Sequence, residues 1–121
     1  MSSHKNLRVY QESMDYVTKI YEITKTYPNS ELFGLTSQTR RACVSIPLNI
    51  SEGASRGSTK DFCRFLRYSL SSTSEIDTAL TIAKNIELID EKQLNELIID
   101  LVSLRKKLMA LINSLEKKLS G

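Results

Sequence analysis

The sequence predicts an all-α protein: one domain, residues 1–121, folded as an antiparallel up-down-up-down bundle of four helices. Apolar residues recur at alternating spacings of three and four along most of the chain, which is the period of one helix face. The stretches between these periodic segments are short, and short connections favour antiparallel neighbours. The length of 121 residues is typical of one domain, and no strand-like alternation is present.

The first helix is predicted at about residues 6–27. Its inner face is expected to carry one apolar stripe, formed by Leu7, Tyr10, Met14, Val17, Tyr21 and Thr24, with Ile20 beside it. Pro28 ends the helix, because proline disfavours the helical conformation in the residue before it. Residues 28–36 are rich in turn formers and are expected to form a connection.

The second helix is predicted at about residues 37–53, and Pro47 lies inside it. Proline has no N–H to donate to the carbonyl of Cys43, so we expect a kink or a short break there. Gly53, Ser55 and Gly57 are expected in the loop that follows the helix.

The third helix is predicted at about residues 59–88, opened by a variant of the capping box, Ser58-Thr-Lys-Asp61. Its inner face is traced by Phe62, Phe65, Ser69, Thr73, Ile76, Leu80 and Ala83. The fourth helix is predicted at about residues 91–119, with Asp90 as its N-cap.

The fourth helix carries two apolar stripes. The first is an uninterrupted seam of leucines, Leu94, Leu97, Leu101, Leu104, Leu108, Leu111 and Leu115. The second, running beside it, is formed by Ile98, Val102, Met109 and Ile112. Together they make a face wider than one neighbouring helix requires. This width predicts a bundle helix that meets two partners, and it fits a homo-oligomer.

The bulk composition indicates a soluble, cytoplasmic protein. No apolar run approaches the ~20 residues that span a bilayer, and no signal-peptide pattern follows the N-terminus. Cys43 and Cys63 have no metal-ligand or redox spacing, so we expect reduced thiols that pack as small apolar groups.

The positive charge is concentrated in the middle of the chain. Residues 36–75 carry six basic and three acidic residues, whereas the segments on either side are each balanced. The candidate nucleic-acid-binding residues are these six, Arg40, Arg41, Arg56, Lys60, Arg64 and Arg67. Lys60, Arg64 and Arg67 share one face of the third helix. Arginine favours bidentate contact with phosphate, so this distribution points to a polyanion.

The same residues also have a structural interpretation. Arg64 or Arg67 could pair with Asp61, Glu52 or Glu75. Arg41 could make structural hydrogen bonds to helix ends or across a subunit interface. The net charge of +3 is mild and does not decide between the two interpretations.

The sequence offers no catalytic constellation, no metal site and no cofactor motif. The one histidine, His4, lies near the terminus, and no phosphate loop or serine-nucleophile elbow is present. Bundles that bind metals through carboxylates use Glu-x-x-His pairs, and the chain has none. We therefore expect a protein that is not an enzyme.

Polar residues within an apolar stretch mark a structural motif in the second helix. The motif comprises Ser45, Pro47, Asn49, Glu52 and Gly53. Buried Asn49 or Glu52 would need a hydrogen-bond partner, either an arginine or the carbonyl freed by Pro47. We expect this motif to fix the kink or an intersubunit contact.

These segments resemble a known family. The run Ser-Ile-Pro-Leu-Asn-Ile-Ser-Glu-Gly at 45–53 lies within a longer match over 35–53, 56–62, 65–66 and 74–75. It resembles the four-helix-bundle intervening-sequence proteins, which are encoded within inserts in bacterial large-subunit (23S) ribosomal RNA genes. The accessory variability determinant of diversity-generating retroelements is a related bundle. The resemblance implies a homopentameric ring with a basic surface, and no catalytic residues are carried over.

Two functions are therefore expected from the sequence. The first is oligomeric binding of RNA or DNA through the residue 40–67 cluster. The alternative is a protein-interaction scaffold or accessory subunit, whose basic face meets an acidic or nucleic-acid-bound partner such as a reverse transcriptase. No membrane partner is expected.

Overall fold

The computed structural model describes residues 4–120, and four long α-helices account for most of them. The helices are α1 (Arg8–Thr24), α2 (Ser37–Ser55), α3 (Thr59–Asn85) and α4 (Glu91–Ser120). Short helical segments precede α1 and connect it to α2: His4–Asn6, Asn29–Glu31 and the π-helical Leu32–Thr36. No strand occurs within residues 4–120, which confirms the all-α prediction.

The core lies between the four helices, because α1 contacts α2 and α4, and α3 contacts the same two helices. On α4, Leu97, Leu101, Leu104 and Leu108 are buried, as the leucine seam predicts. The hydroxyl of Tyr16 crosses from α1 and donates a hydrogen bond to the carbonyl of Leu97 at 2.9 Å. None of the helices formed by residues 4–120 combines the length and apolar character that a membrane span requires.

Two of the predicted helix starts carry the expected caps. Asp90 Oδ1 accepts a hydrogen bond from the backbone N–H of Gln93 at 2.8 Å, and Gln93 Oε1 accepts one from the N–H of Asp90 at 2.9 Å. This reciprocal pair is a capping box. At α3, Ser58 Oγ accepts from the N–H of Asp61 at 3.0 Å, which satisfies one unpaired N–H of the first turn.

The buried face of α1 differs from the predicted stripe. Met14 and Tyr21 are exposed, and the buried positions are Val9, Ser13, Tyr16, Ile20 and Thr24. Ile20 and Thr24 are buried as predicted, and Leu7, Tyr10 and Val17 are partly buried against the core, so the buried face is rotated from the predicted stripe rather than opposite to it. The hydrogen bond between Tyr16 and Leu97, together with the complete burial of Ile20, fixes the orientation of the helix.

Helix α3 ends at Asn85 rather than near Leu88, because the chain closes with a Schellman motif. The N–H of Leu88 donates to the carbonyl of Ala83, and that of Glu87 donates to Lys84. Glu87 occupies the left-handed position with φ of 66°, where glycine is usual. Helix α1 likewise ends early, at Thr24, and residues 25–27 form a turn before Pro28.

Helix α2 continues without a break through Pro47 to Ser55. The short break that the sequence allows is therefore absent, and the kink stays a prediction. Ser69 on α3 donates a hydrogen bond to the carbonyl of Ile46, which holds the backbone beside the proline against α3. Gly53 lies inside the helix, within the predicted bounds, whereas Ser55, which was predicted in the loop, is the last residue of the helix.

Candidate nucleic-acid interface

The six candidate basic residues lie in two separate groups. Arg40 and Arg41 occupy the first turn of α2, whereas the other four lie around the start of α3. From Arg41 to Arg56 the chain rises roughly 22 Å along the axis of α2. The structure therefore does not bring all six residues together.

The group at the start of α2 is largely structural. Arg40 is half-buried, and its Nε donates a hydrogen bond to Thr24 Oγ1 at 2.8 Å. Its guanidinium carbon lies 4.4 Å from the centre of the Tyr21 ring. These contacts attach α2 to the end of α1, and neither partner of Arg40 was predicted from the sequence. Arg41 is exposed, and its side chain forms no hydrogen bond or ion pair within residues 4–120.

The second group surrounds Phe65. The guanidinium carbons of Arg56 and Arg64 lie 4.9 and 4.7 Å from the centre of this ring. Both distances are within the range of a cation–π contact. Phe65 itself is buried, as the sequence predicts for a core residue. The ring therefore limits the freedom of two arginines that remain exposed on their outer sides.

Nearby acids pair with the arginines of this group. Arg56 pairs with Glu52 at 3.0 Å, and Arg64 pairs with Asp61 at 3.2 Å. Arg64 also donates to the hydroxyl of Tyr68 at 3.3 Å. The hydrogen bond to Tyr68, followed by that to Asp61, raises the pKa of Arg64. The side chain of Lys60 has no such partner within residues 4–120.

Arg67 reaches a residue that sequence reasoning did not identify. Its Nη2 lies 2.9 and 2.8 Å from the two carboxylate oxygens of Glu116. This pair joins the start of α3 to the last turns of α4, where Lys117 and Lys118 follow Glu116. We call the exposed set Arg56, Lys60, Arg64, Arg67, Lys117 and Lys118 the basic end. Its six cations are accompanied by three paired acids, Glu52, Asp61 and Glu116.

The polar residues of the predicted motif have short-range partners. Asn49 Nδ2 donates to the carbonyl of Ser45, one turn earlier, at 2.8 Å. Its partner is therefore neither an arginine nor the carbonyl freed by Pro47. Glu52 does have an arginine partner, Arg56. The hydroxyl of Ser45 bonds to that of Ser72 on α3, so the motif forms part of the α2–α3 contact.

Gly53 brings α2 close to α3, because a Cβ at this position would lie 2.8 Å from Phe65 Cβ and 3.0 Å from Phe62 Cδ1. We expect Gly53→Ala to lower the free energy of unfolding by about 1–3 kcal/mol through overpacking, despite the better helix propensity of alanine. Chemical denaturation followed by circular dichroism measures the change.

The matched control for Gly53 is Gly57→Asn. Gly57 has φ of 80°, and a Cβ there meets nothing within 4 Å. Asparagine tolerates left-handed backbone, so this change should cost less than about 1 kcal/mol. A Gly53→Ala protein as stable as the wild type would show that the α2–α3 contact is not tight.

The described part of the chain offers little reactive chemistry. No three His, Cys, Asp or Glu side chains among residues 4–120 lie close enough together to hold a metal ion. Both cysteines are free and buried. Burial raises the pKa of Cys43 to about 12 and also raises that of Cys63, so both thiols stay protonated at neutral pH and are poor nucleophiles.

Comparison with known proteins identifies the family. The family model described as 23S rRNA-intervening sequence protein matches residues 5–110. A solved structure of a protein with unknown function from the S23 ribosomal protein family of Bacteroides thetaiotaomicron is 26% identical, and the alignment covers 86% of this chain and 97% of that chain with a TM-score of 0.79. No curated protein matches. The chain belongs to the family of 23S rRNA-intervening sequence proteins.

Proposed function

We propose that this protein is a non-enzymatic, oligomeric protein that binds RNA or DNA through the basic end. The main support for this proposal is that six cationic side chains are exposed where the start of α3 meets the end of α4. The family to which the chain belongs takes its name from an insert in ribosomal RNA, and this is consistent with a nucleic-acid ligand.

The ion pairs at the basic end are compatible with phosphate binding. Water screens exposed pairs, so a phosphate can compete with Glu52, Asp61 or Glu116 for the same guanidinium groups. Phe65 holds Arg56 and Arg64 in place, which lowers the entropy lost when they bind a ligand. Lys60, which has no acidic partner in the described chain, adds charge that nothing offsets.

We also propose that the four helices form an up-down-up-down bundle and that the protein is cytoplasmic. Glu12 pairs with Lys107 at 2.6 Å, and Lys19 pairs with Asp100 at 2.7 Å. Residue numbers thus rise along α1 as they fall along α4, which supports an antiparallel pair. The proposed assembly is a homopentameric ring, in which repeated basic ends would strengthen binding to one polyanion through multivalency.

Charge reversal at the basic end tests the nucleic-acid proposal. The variant is Lys60→Glu with Arg64→Glu. Its matched control is Lys84→Glu with Lys92→Glu, which makes the same charge change at the opposite end of α3, where Lys84 lies about 36 Å from Lys60 along the helix and Lys92 follows in the first turn of α4. We expect the first variant to bind structured RNA or duplex DNA at least about ten-fold more weakly than the control, with a salt slope smaller by about two.

Fluorescence anisotropy over a series of salt concentrations gives both the affinity and the slope. If the wild-type protein retains neither RNA nor DNA at low salt, the proposal is wrong. If the variant and its control lose equal amounts of affinity for nucleic acid, the binding surface lies somewhere other than the basic end.

The second candidate function is a scaffold or accessory subunit for a nucleic-acid enzyme such as a reverse transcriptase. Exposed apolar side chains outside the basic end, including Phe33 and Leu48, favour a protein partner. An adjacent reverse-transcriptase gene would support this function, and an insert in a ribosomal RNA gene would support the first. A pull-down that recovers nucleic acid and no protein counts against the scaffold.

A further inference from the structure

An apolar groove opens between the connection that precedes α2 and the second half of α3. The volume of this open groove is about 770 Å³. Its lining includes Leu35, Ala79, Ile82 and Ile86, and its acidic side chains are Glu31 and Glu75. Ile82 and Ile86 are exposed although they are apolar. Such a combination, an apolar surface flanked by charge, is typical of an interaction site.

A second apolar surface lies on the outer face of α4. Ile99 is 68% exposed and Val102 is 41% exposed, and Met109 continues the same stripe. Ile99 lies opposite the buried leucines of α4, whereas Val102 and Met109 lie beside them, about 100° around the helix axis. Arg105 and Lys106 accompany them, and neither side chain forms a hydrogen bond or ion pair within residues 4–120. This surface is therefore apolar with positive flanks.

We propose that the outer face of α4 in one copy of the chain docks into the apolar groove between the α1–α2 connection and α3 of a second copy. The charges are complementary, since Arg105 and Lys106 would meet the acids of the groove. Glu75 has no partner within residues 4–120, and Glu31 accepts only a backbone hydrogen bond, from Leu35. Docking would therefore pair side chains that lack ionic partners in the isolated chain.

The two surfaces also agree in length. The apolar stripe from Ile99 to Met109 extends roughly 15 Å along α4. The α3 side of the groove, from Glu75 to Ile86, extends roughly 16 Å by the same rise. A helix face of this size can lie along the groove with its apolar residues over Ile82 and Ile86.

The contact joins two different surfaces, so every copy offers one surface to each neighbour. Head-to-tail contacts of this kind build closed rings when the rotation closes. The inference rests on the proposed oligomer and names its interface. It leaves the basic end open, because Lys60, Arg64 and Arg67 lie in the half of α3 away from the groove.

The test is the mass in solution, measured by light scattering at micromolar concentration. We expect the wild-type protein to have several times the 13.7 kDa of one chain. Val102→Asp and Ile82→Asp should each raise the dissociation constant of the assembly about ten-fold or more. Leu48→Asp is the matched control, since Leu48 is exposed outside both surfaces, and it should keep the wild-type mass.

Charge reversal supplies a second test that does not depend on apolar residues. Glu75→Arg and Arg105→Glu should each weaken the assembly, and the two changes combined in one chain should restore it. Circular dichroism verifies that each variant keeps its helix content. A monomeric wild-type protein would overturn the inference and leave the groove to another occupant. An assembly whose dissociation constant is unchanged by Val102→Asp and Ile82→Asp would also overturn the inference.

Nucleic-acid binding is measured separately on the same proteins. A monomer that still binds RNA or DNA through Lys60 and Arg64 would overturn the interface and retain the proposed function. An assembly of the expected mass that binds no nucleic acid would retain the interface and overturn the proposed ligand.

Discussion

Replacing Leu108 with alanine should lower the free energy of unfolding by about 2–5 kcal/mol. Leu108 is completely buried, and it packs in the core with residues of all four helices. The shortened side chain loses its transfer free energy and leaves a cavity that rigid helices fill only in part. A loss of this size is a large fraction of the stability of a domain of this length.

Chemical denaturation, followed by circular dichroism at a fixed protein concentration, measures the effect. The concentration must be fixed, because assembly of the native protein would add to its apparent stability. The matched control is Leu119→Ala on the same helix, where the side chain is 53% exposed. It should change the free energy by less than about 0.5 kcal/mol. If both variants lowered the free energy of unfolding by similar amounts, the leucine seam would not be the buried face of α4.

The success of the sequence prediction depends on how distinctive each apolar pattern is. On α4 the leucine seam is uninterrupted over seven positions, and four of its members, Leu97, Leu101, Leu104 and Leu108, are buried as predicted. The buried face of α1 was predicted only in part: Ile20 and Thr24 are buried as expected, whereas Met14 and Tyr21 are exposed. The contact that orients α1, between Tyr16 and Leu97, joins residues 81 positions apart. Such long-range contacts leave no signal in local periodicity.

The same reasoning applies to the basic end. The pair between Arg64 and Asp61 is three residues apart on one helix, and the sequence indicated it as one alternative. The partner of Arg67, Glu116, lies 49 positions away and becomes available only when α3 packs against α4. The contribution of Lys117 and Lys118 was missed for the same reason. Local ion pairs are thus predictable from helical spacing, whereas the composition of a surface depends on helix packing.

Proline and glycine in α2 show the limit of local rules. Pro47 predicts a kink or a short break, and Gly53 predicts the end of the helix, yet the helix continues through both to Ser55. Their surroundings explain why. Ser69 bonds the carbonyl that precedes Pro47, and the lack of a Cβ at Gly53 lets α3 approach. Packing between α2 and α3 thus offsets the poor helix propensity of both residues.

Raising the pH from 8 to 10.5 should lower the free energy of unfolding by roughly 2–3 kcal/mol. Burial raises the pKa of Cys43 from 9.0 to about 12, and burial is also the main cause of the raised pKa of Tyr16. The native state therefore keeps these protons where the unfolded state releases them. The stabilising contribution of each group is complete below its unfolded pKa and is lost as the pH rises above that value.

The pH windows of the two groups differ. Cys43 contributes a loss of about 1.4 kcal/mol per pH unit above pH 9, and Tyr16 adds a similar slope above pH 10. The raised pKa values of Tyr27 and Cys63 act in the same direction. Urea denaturation at half-unit steps gives the slope directly.

Two variants assign the slope to its groups. Cys43→Ala should remove most of the decline between pH 9 and 10, although the small cavity lowers stability at every pH. Tyr16→Phe should remove its additional decline above pH 10, at the cost of the hydrogen bond to Leu97. A stability that stays constant from pH 8 to 10.5 would mean that these groups ionise as freely in the native state as in the unfolded chain, and it would contradict their burial.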